Sequence, residues 1–381
     1  MKKITKILRI IPTLDPKFGG PANAIIDSSN LLVKKGIKVD ILTNDKKFNV
    51  NLKKDINIFN IGRGIGSYNF SLKFYKWIKQ NRDKYNMFII HGIWNFSTLV
   101  ARILLKRKYY VFLHGALDPY FKLEVIKYIK KKIYWNLIEK QNLIFSKGVL
   151  LTNEFEKKQL GHTYVKTDGI NKINVGYGIL EKKQSKKKLE KIFYKKFKNL
   201  KGKRFYLFLG RFHKKKGCLI LIKSVEQILK KNKDIFIFMA GPDSEYKKKM
   251  QKYCITNNLN KNIFWSDEIS GNIKWGAIHC SYCMLLPSHG ENFGISLVES
   301  LSYSRPVITT KKVGIHSYIK KYNAGMVTMD SLNDFYKKLK LMNSIKKQSY
   351  NKLCNNAYRC FKDNYDLNST IKNLYNIIKK N

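Results

Sequence analysis

Short apolar runs rich in β-branched and aromatic residues recur along the chain at 7–11, 39–42, 88–90, 109–113 and 149–152, separated by stretches with helical spacing. Strands that alternate with helices in this way predict a parallel sheet with covering helices. A second series follows at 205–209, 235–240, 262–265, 282–286 and 307–310. Between the two series lies EKKQSKKKLEKIFYKKFKNLKGKR, residues 181–204, basic throughout and without a strong strand signal. The boundary is placed near its start. The pattern predicts an α/β chain of two Rossmann-like doubly wound domains, 1–182 and 183–362. A final helical segment, 363–381, carries an apolar face that would pack back on the first domain. Such sheets bind ligands at the carboxyl ends of their strands, so the expected site is a cleft that the two domains face.

A length of 381 residues with 44% hydrophobic content suffices for two substantial cores and excludes a disordered or fibrous chain. Lys and Arg number 75 against 26 Asp and Glu, a net charge of +49 that draws the protein toward phosphate-rich partners. The abundance of Lys, Asn and Ile also fits AT-rich coding, so charge alone does not choose among nucleotide, anionic lipid and nucleic acid. MKKITKILRIIPTLD begins like a signal peptide, but Arg9, Pro12 and Asp15 interrupt it, and it reads as a first strand. No apolar run reaches the roughly 18 residues of a membrane span. These features predict a cytoplasmic protein with at most peripheral membrane contact. Six scattered cysteines fit reduced thiols, and the Cys280/Cys283 pair lacks the second pair of ligands that a zinc site needs.

The segment CMLLPSHGENFGISLVESLSYSRPVITT carries the most chemistry. An apolar strand ends at Pro287, a polar loop follows, and a helix is expected to begin near Asn292. A strand end followed by a helix N-terminus offers free backbone N–H groups to a diphosphate. Gly294 would let the phosphate approach the main chain. Glu291 sits at this mouth, and Glu299 lies in a helix otherwise apolar at Ile295, Leu297, Val298 and Leu301. A carboxylate beside a buried face needs a partner, which a ligand's paired hydroxyls would supply. Spacing alone equally allows a helix-start Glu291 favoured by the macrodipole and a surface Glu299.

Four further segments follow strand ends in the same manner. FYLFLGRFHKKKGCLILIKSVEQIL places Arg211 and Lys216 where they could neutralise a diphosphate leaving group. Lys214 and Lys215 read as solvated. IPTLDPKFGGPANAIIDSSNLLVKKG carries Gly19 and Gly20, which permit a turn against phosphate and equally serve simple turn geometry. HGIWNFST and HGALDPYF, beginning at His91 and His114, each follow an apolar strand.

Taken together, PSHGENFGISLVE followed by RPV resembles the retaining glycosyltransferases of family four, whose signature is two glutamates separated by seven residues within P-S-x-x-E-x-F-G. The resemblance extends over nearly the whole chain and implies the GT-B fold. It implies that Glu291 supports the developing positive charge at the anomeric carbon and that Glu299 holds the ribose hydroxyls. Phe293, Gly294 and Ile295 would line the donor site, Arg211 and Lys216 match the family's G-R-x-x-x-x-K-G, and Gly241 of FIFMAGPD would lie near the base. Gly19 and Gly20 resemble the family's donor-facing glycine loop. His114 resembles a histidine that approaches the transferred sugar, with His91, Trp94 and Asp118 as weaker candidates for acceptor contact. INVGYGIL and NIFWSDEISG depart from the family pattern.

The resemblance implies a metal-independent, retaining hexosyltransferase that needs no cofactor and uses a UDP- or GDP-linked sugar as substrate. The acceptor would be a glycan or a polyprenyl-diphosphate-linked oligosaccharide at an anionic inner membrane, in capsule, O-antigen or other polysaccharide assembly. Two rivals differ in class. A nucleotide-sugar epimerase of the same fold would convert a donor without an acceptor, against which stand the glutamate pair and the Gly19-Gly20 loop. A nucleic-acid-binding protein would use the charge and the 22 Phe, 23 Tyr and 5 Trp. Such modules interleave basic and aromatic residues, whereas these lysines are dispersed and the aromatics sit in core-like runs.

Overall fold

The computed structural model describes residues 5–15, 20–45, 52, 54–120, 125–162, 165–182, 184–231 and 234–380. The chain divides into two compact units, Met1–Leu180 with Leu367–Asn381, and Glu181–Asp366.

The first unit is built on β1 (Lys6–Ile11), β2 (Lys38–Thr43), β3 (Ile58–Asn60), β4 (Met87–His91), β5 (Tyr109–Phe112), β6 (Gly148–Leu151) and β7 (Lys172–Asn174). They form one sheet in the order β3-β2-β1-β4-β5-β6-β7, with every pairing parallel. One face buries Leu8, Ile10, Phe88 and Ile90 beneath Phe74, Val100 and Leu104 of helices Leu72–Asn81 and Phe96–Leu104. The other buries Ile7, Val39, Met87 and Ile89 beneath Leu32 of helix Gly20–Lys34 and Ile371, Leu374 and Ile378 of helix Leu367–Lys379. Burial on both faces is why these strands read as unbroken apolar runs.

The second unit repeats the plan with β8 (Phe205–Leu209), β9 (Phe236–Ala240), β10 (Ile263–Ser266), β11 (Cys283–Leu286), β12 (Val307–Thr310) and β13 (Gly325–Thr328), ordered β10-β9-β8-β11-β12-β13 and again all parallel. The basic segment after residue 181 supplies helix Lys186–Lys196, whose Leu189 and Phe193 are buried. It packs on helix Gly271–Cys280 where Gly276 stands so close that an added Cβ would lie 2.7 Å from the Leu189 carbonyl oxygen. Helix Lys347–Asn364 stays with the second unit, and only Leu367–Lys379 joins the first.

The edge strands β3, β7 and β13 carry no apolar run in the sequence. β3 and β7 are partly exposed along their length and β13 at Met326 and Val327, so little forces hydrophobic side chains there. The six cysteines are free thiols. Burial pushes the Cys280 thiol up to about 11 and that of Cys283 well above its ordinary value, so neither is a ready nucleophile.

Candidate functional site

In each sheet the strand order reverses beside the first strand, between β1 and β4 and between β8 and β11. Loops leaving the carboxyl ends of such neighbours splay apart and leave a crevice. In the second unit these loops are 210–217 and 287–294.

The two loops are joined tightly. Ser288, fully buried, donates its hydroxyl to the Lys215 carbonyl at 2.8 Å, and the His289 amide donates to the same oxygen at 2.8 Å. Gly217 takes φ +69°, and a Cβ there would fall 1.9 Å from the Pro287 carbonyl oxygen, so both backbone conformation and space demand glycine. As a result Lys216 reaches across and its ammonium pairs with the Glu291 carboxylate. The Glu291 backbone is itself held between Lys312 and Gly314, at 3.0 and 2.9 Å. Two residues assigned separate roles in the sequence thus form one ion pair.

The helix expected to begin near Asn292 begins at Ile295. Gly294 takes φ +86°, outside the helical region, and postpones the first turn. The first amides of helix Ile295–Ser302 open onto the same loop, and the helix dipole adds positive potential there. Phe293 is buried edge-on against Tyr365, with ring centroids 5.7 Å apart, and Ile295 is half-buried. Glu299 is partnered by Lys274 of helix Gly271–Cys280 at 2.6 Å. Among 75 basic residues Lys274 carries no sequence signal. His289 Nδ1 lies 2.6 Å from Asp330 in the loop after β13, another pair that sequence reasoning missed. Arg211 stands exposed just beyond β8. At the end of β9, Gly241 touches the turn after β8, because a Cβ on it would lie 2.0 Å from the Gly210 carbonyl oxygen.

The first unit gathers a second cluster. Gly19 lies outside the described residues. Gly20 opens helix Gly20–Lys34, and its carbonyl accepts from the Tyr177 hydroxyl at 3.4 Å. His114 adopts a left-handed backbone, φ +51°, and its turn is tied by Glu156, which accepts from the Gly115 amide at 2.7 Å. Its ring stacks on Phe112 at 4.3 Å and meets the edge of Tyr177 at 5.9 Å. His91 is buried behind it, with the two ring nitrogens 2.9 Å apart. Behind His91 lies Arg9, 2% exposed. Burial lowers the Arg9 guanidinium to about 9, and burial beside that cation lowers His114 to about 3 and His91 well below its ordinary value. A small cavity of about 30 Å³ adjoins this cluster, lined among others by Arg9, Ser28, His114, Tyr177, Thr370 and Ile371. Arg9 and Tyr177 went unassigned in the sequence, although a charge in the middle of KILRII is a visible signal. Trp94 donates to the Ala116 carbonyl at 3.4 Å, and Asp118 accepts from the Tyr120 amide at 2.9 Å, so both brace the same turn region. Among the described residues no cluster of His, Cys, Asp and Glu could hold a metal ion, and no helix is long and apolar enough to cross a membrane.

Residues 190–359 match the family described as glycosyl transferases group 1. The match spans less than half of the chain. The matched residues include Arg211, Lys216, Lys274 and both glutamates. The chain is 30% identical over 142 residues to an uncharacterised glycosyltransferase of Methanocaldococcus jannaschii, covering 37% of this chain and 38% of that one. It is 30% identical over 115 residues to a 2-deoxystreptamine N-acetyl-D-glucosaminyltransferase of Niallia circulans, covering 30% and 29%. These alignments span less than two-fifths of the relatives' own length. Among solved structures, the sucrose-phosphate synthase of Thermosynechococcus elongatus superposes with a TM-score of 0.79 at 15% identity, covering 99% of this chain and 98% of the other. Anabaena HepE, solved with UDP and glucose, gives 0.77 at 15% identity over 99% and 100%. At such identities the likeness establishes the fold, and it is the GT-B fold of these neighbours.

Proposed function

We propose that the chain is a retaining glycosyltransferase that moves a hexose from a nucleoside-diphosphate sugar to a glycan acceptor. The observation that carries this reading is the junction of loops 210–217 and 287–294, which sets Lys216 on Glu291 beside the N-terminus of helix Ile295–Ser302 within the residues matched to group 1. Partly exposed ion pairs stabilise by at most about 1 kcal/mol, so a diphosphate can draw Lys216 away from Glu291 at little expense. Lys216, Arg211 and the helix amides then surround the diphosphate with donors, and Glu291 is released to face the anomeric carbon. Phe293, Gly294 and Ile295 line the donor, and Gly241 borders the base. Glu299 exchanges its Lys274 contact for the ribose hydroxyls.

In the transfer step the bond between anomeric carbon and phosphate oxygen breaks, and its electron pair leaves with the β-phosphate. The acceptor hydroxyl oxygen bonds to the same face of that carbon and gives its proton to a β-phosphate oxygen. Glu291 stabilises the oxocarbenium character in between, and the fixed cations stabilise the leaving charge without a divalent metal. No cofactor takes part. His114 contacts the transferred sugar, while Trp94 and Asp118 border the acceptor. Calorimetric binding of UDP, GDP and their sugar conjugates tests the donor site. Failure of every nucleotide to bind would refute it, and an inverted anomeric configuration in the product would refute retention. The match of residues 190–359 to a transferase family favours transfer over the epimerase alternative.

The proposed acceptor is a polyprenyl-diphosphate-linked glycan of surface-polysaccharide assembly, met at the anionic inner face of a membrane. Helix Val125–Tyr134 and the turn after it expose Ile129, Ile133 and Leu137 at 51, 57 and 70%, spaced four apart on one face. Lys130 and Lys132 are exposed beside them. An apolar stripe edged by lysine suits insertion among anionic headgroups. Replacing Ile133 and Leu137 by serine removes apolar burial of roughly 1.5–3 kcal/mol per side chain, so binding to phosphatidylglycerol vesicles should fall at least tenfold. Absence of vesicle binding by the parent at low salt would sink this assignment.

A further inference from the structure

Arg9 occupies the middle of β1 with its guanidinium enclosed. Among the described residues its Nε donates to His91 Nε2 at 3.2 Å, and its Nη1 donates to the hydroxyls of Ser28 and Ser29 at 2.6 and 3.0 Å and to the Ile25 carbonyl at 3.2 Å. These partners are neutral groups, so the cation is placed for what it donates rather than for an ion pair.

A guanidinium carries donors only. His91 Nε2 therefore presents a lone pair to it, and a neutral imidazole with its lone pair on Nε2 carries its proton on Nδ1. His91 Nδ1 lies 2.9 Å from His114 Nε2, so His91 donates and His114 accepts. His114 in turn carries its own proton on Nδ1. A second proton on either ring would set N–H against N–H, at Arg9 in the first case and at His91 in the second. The lowered proton affinities of both rings beside the buried cation agree with this. The left-handed backbone at His114 and the Glu156 clasp on Gly115 hold the ring in register with the relay.

We propose that Arg9 and His91 are positioning residues that lock His114 as the neutral Nδ1–H tautomer, so that His114 meets its ligand solely as a hydrogen-bond donor. The ligand atom that accepts from it is an oxygen with a free lone pair, such as a hydroxyl or carbonyl oxygen, and not an N–H or ammonium group. That this oxygen belongs to a sugar rests on the glycosyltransferase reading, whereas the tautomer does not. His91, first considered for acceptor contact, acts through His114 instead.

Two-bond ¹H–¹⁵N correlation spectra of the ligand-free, histidine-labelled full chain read the tautomer directly, with His114 identified by the signals lost in His114→Gln. The expected pattern is a protonated Nδ1 and an unprotonated Nε2 at His114, unchanged from pH 6 to 8. A protonated Nε2, or an imidazolium at pH 6, overturns the proposal. In Arg9→Met the Nε2–H form, ordinarily preferred in water, should rise to at least half of the His114 population, and an unchanged pattern overturns the relay. Should that variant fail to fold, a second pair decides. His91→Gln retains an amide N–H for His114 Nε2 and should keep the Nδ1–H form, His91→Leu should lose it, and identical spectra overturn the relay. Because the readout needs no substrate, its failure is distinct from failure of the proposed activity.

Discussion

Replacing Gly217 by alanine should pull apart the two loops on which the donor site depends. The residue's φ of +69° costs a non-glycine roughly 1–2 kcal/mol. The new Cβ, 1.9 Å from the Pro287 carbonyl oxygen, adds overpacking strain of roughly 1–3 kcal/mol. Together these predict a loss of about 2–5 kcal/mol, and for a unit the size of Glu181–Asp366 a fall in melting temperature of roughly 10 °C. Gly202→Ala is the control in the same unit. Its φ of +79° is equally left-handed, yet nothing lies within 4 Å of the added carbon, so only the backbone penalty of about 1–2 kcal/mol remains. Gly294→Ala falls between, with φ +86° and a Cβ 3.1 Å from Val313. Circular dichroism melting should rank the three Gly202, Gly294, Gly217 in order of increasing damage. Calorimetry should show nucleotide affinity lost in Gly217→Ala and retained in Gly202→Ala. If Gly217→Ala melts no lower than Gly202→Ala, the tight closure of Lys216 onto the Pro287 loop is wrong, and with it the placement of Lys216 beside Glu291.

Other variants probe separate features. Glu299→Ala should weaken nucleotide binding by a factor of at least ten, the loss of charge-assisted hydrogen bonds worth about 1.5–3 kcal/mol. Lys274→Ala, by freeing Glu299, should strengthen it slightly, and a loss as large as that of Glu299→Ala would mean that Lys274 itself holds the ligand. Glu139 is buried beneath the exposed stripe, accepting from Thr98 and Asn142, and burial raises its carboxyl to about 7. A carboxyl held above its unfolded value of 4.5 contributes stability below that value and loses it as pH rises to about 7, here on the order of 3 kcal/mol. Glu139→Gln should therefore flatten the melting temperature between pH 5 and 8, and an equally steep profile would reject the assignment. Iodoacetamide at pH 8 should leave Cys283 unmodified in the native chain, since its thiol is buried and held neutral. Rapid native labelling would count against that burial.

The doubly wound plan was legible because both faces of each sheet are covered, which writes β1, β4, β5, β8, β11 and β12 as continuous apolar runs. The edge strands β3, β7 and β13 were not, since residues such as Lys172 and Asn174 are half-exposed and free to be polar. The strand-to-helix loop of the proposed donor site was legible through Pro287 and Gly294, and its glutamates Glu291 and Glu299 through the family resemblance. What escaped were partners drawn from distant segments. Lys274 and Asp330 reach the site from other loops and helices, and nothing periodic in the sequence marks them. Tyr177 lies in the segment INVGYGIL, which had been noted only as a departure from the family pattern. Arg9 is visible as a charge inside a strand, and in the sequence it reads as an interruption of an apolar leader.

The return of the last helix to the first sheet bears on the order of synthesis. Ile371, Leu374 and Ile378 complete one apolar layer over β1, β2 and β4, yet they emerge from the ribosome after every residue of Glu181–Asp366. The first sheet therefore cannot complete this layer before the end of synthesis, and until then it waits with that layer uncovered to water. In a growing chain such a layer invites chaperone capture or premature association. A released chain truncated after Asp366 should be protease-resistant across residues 190–359 and still labile around Ile7, Val39 and Ile89.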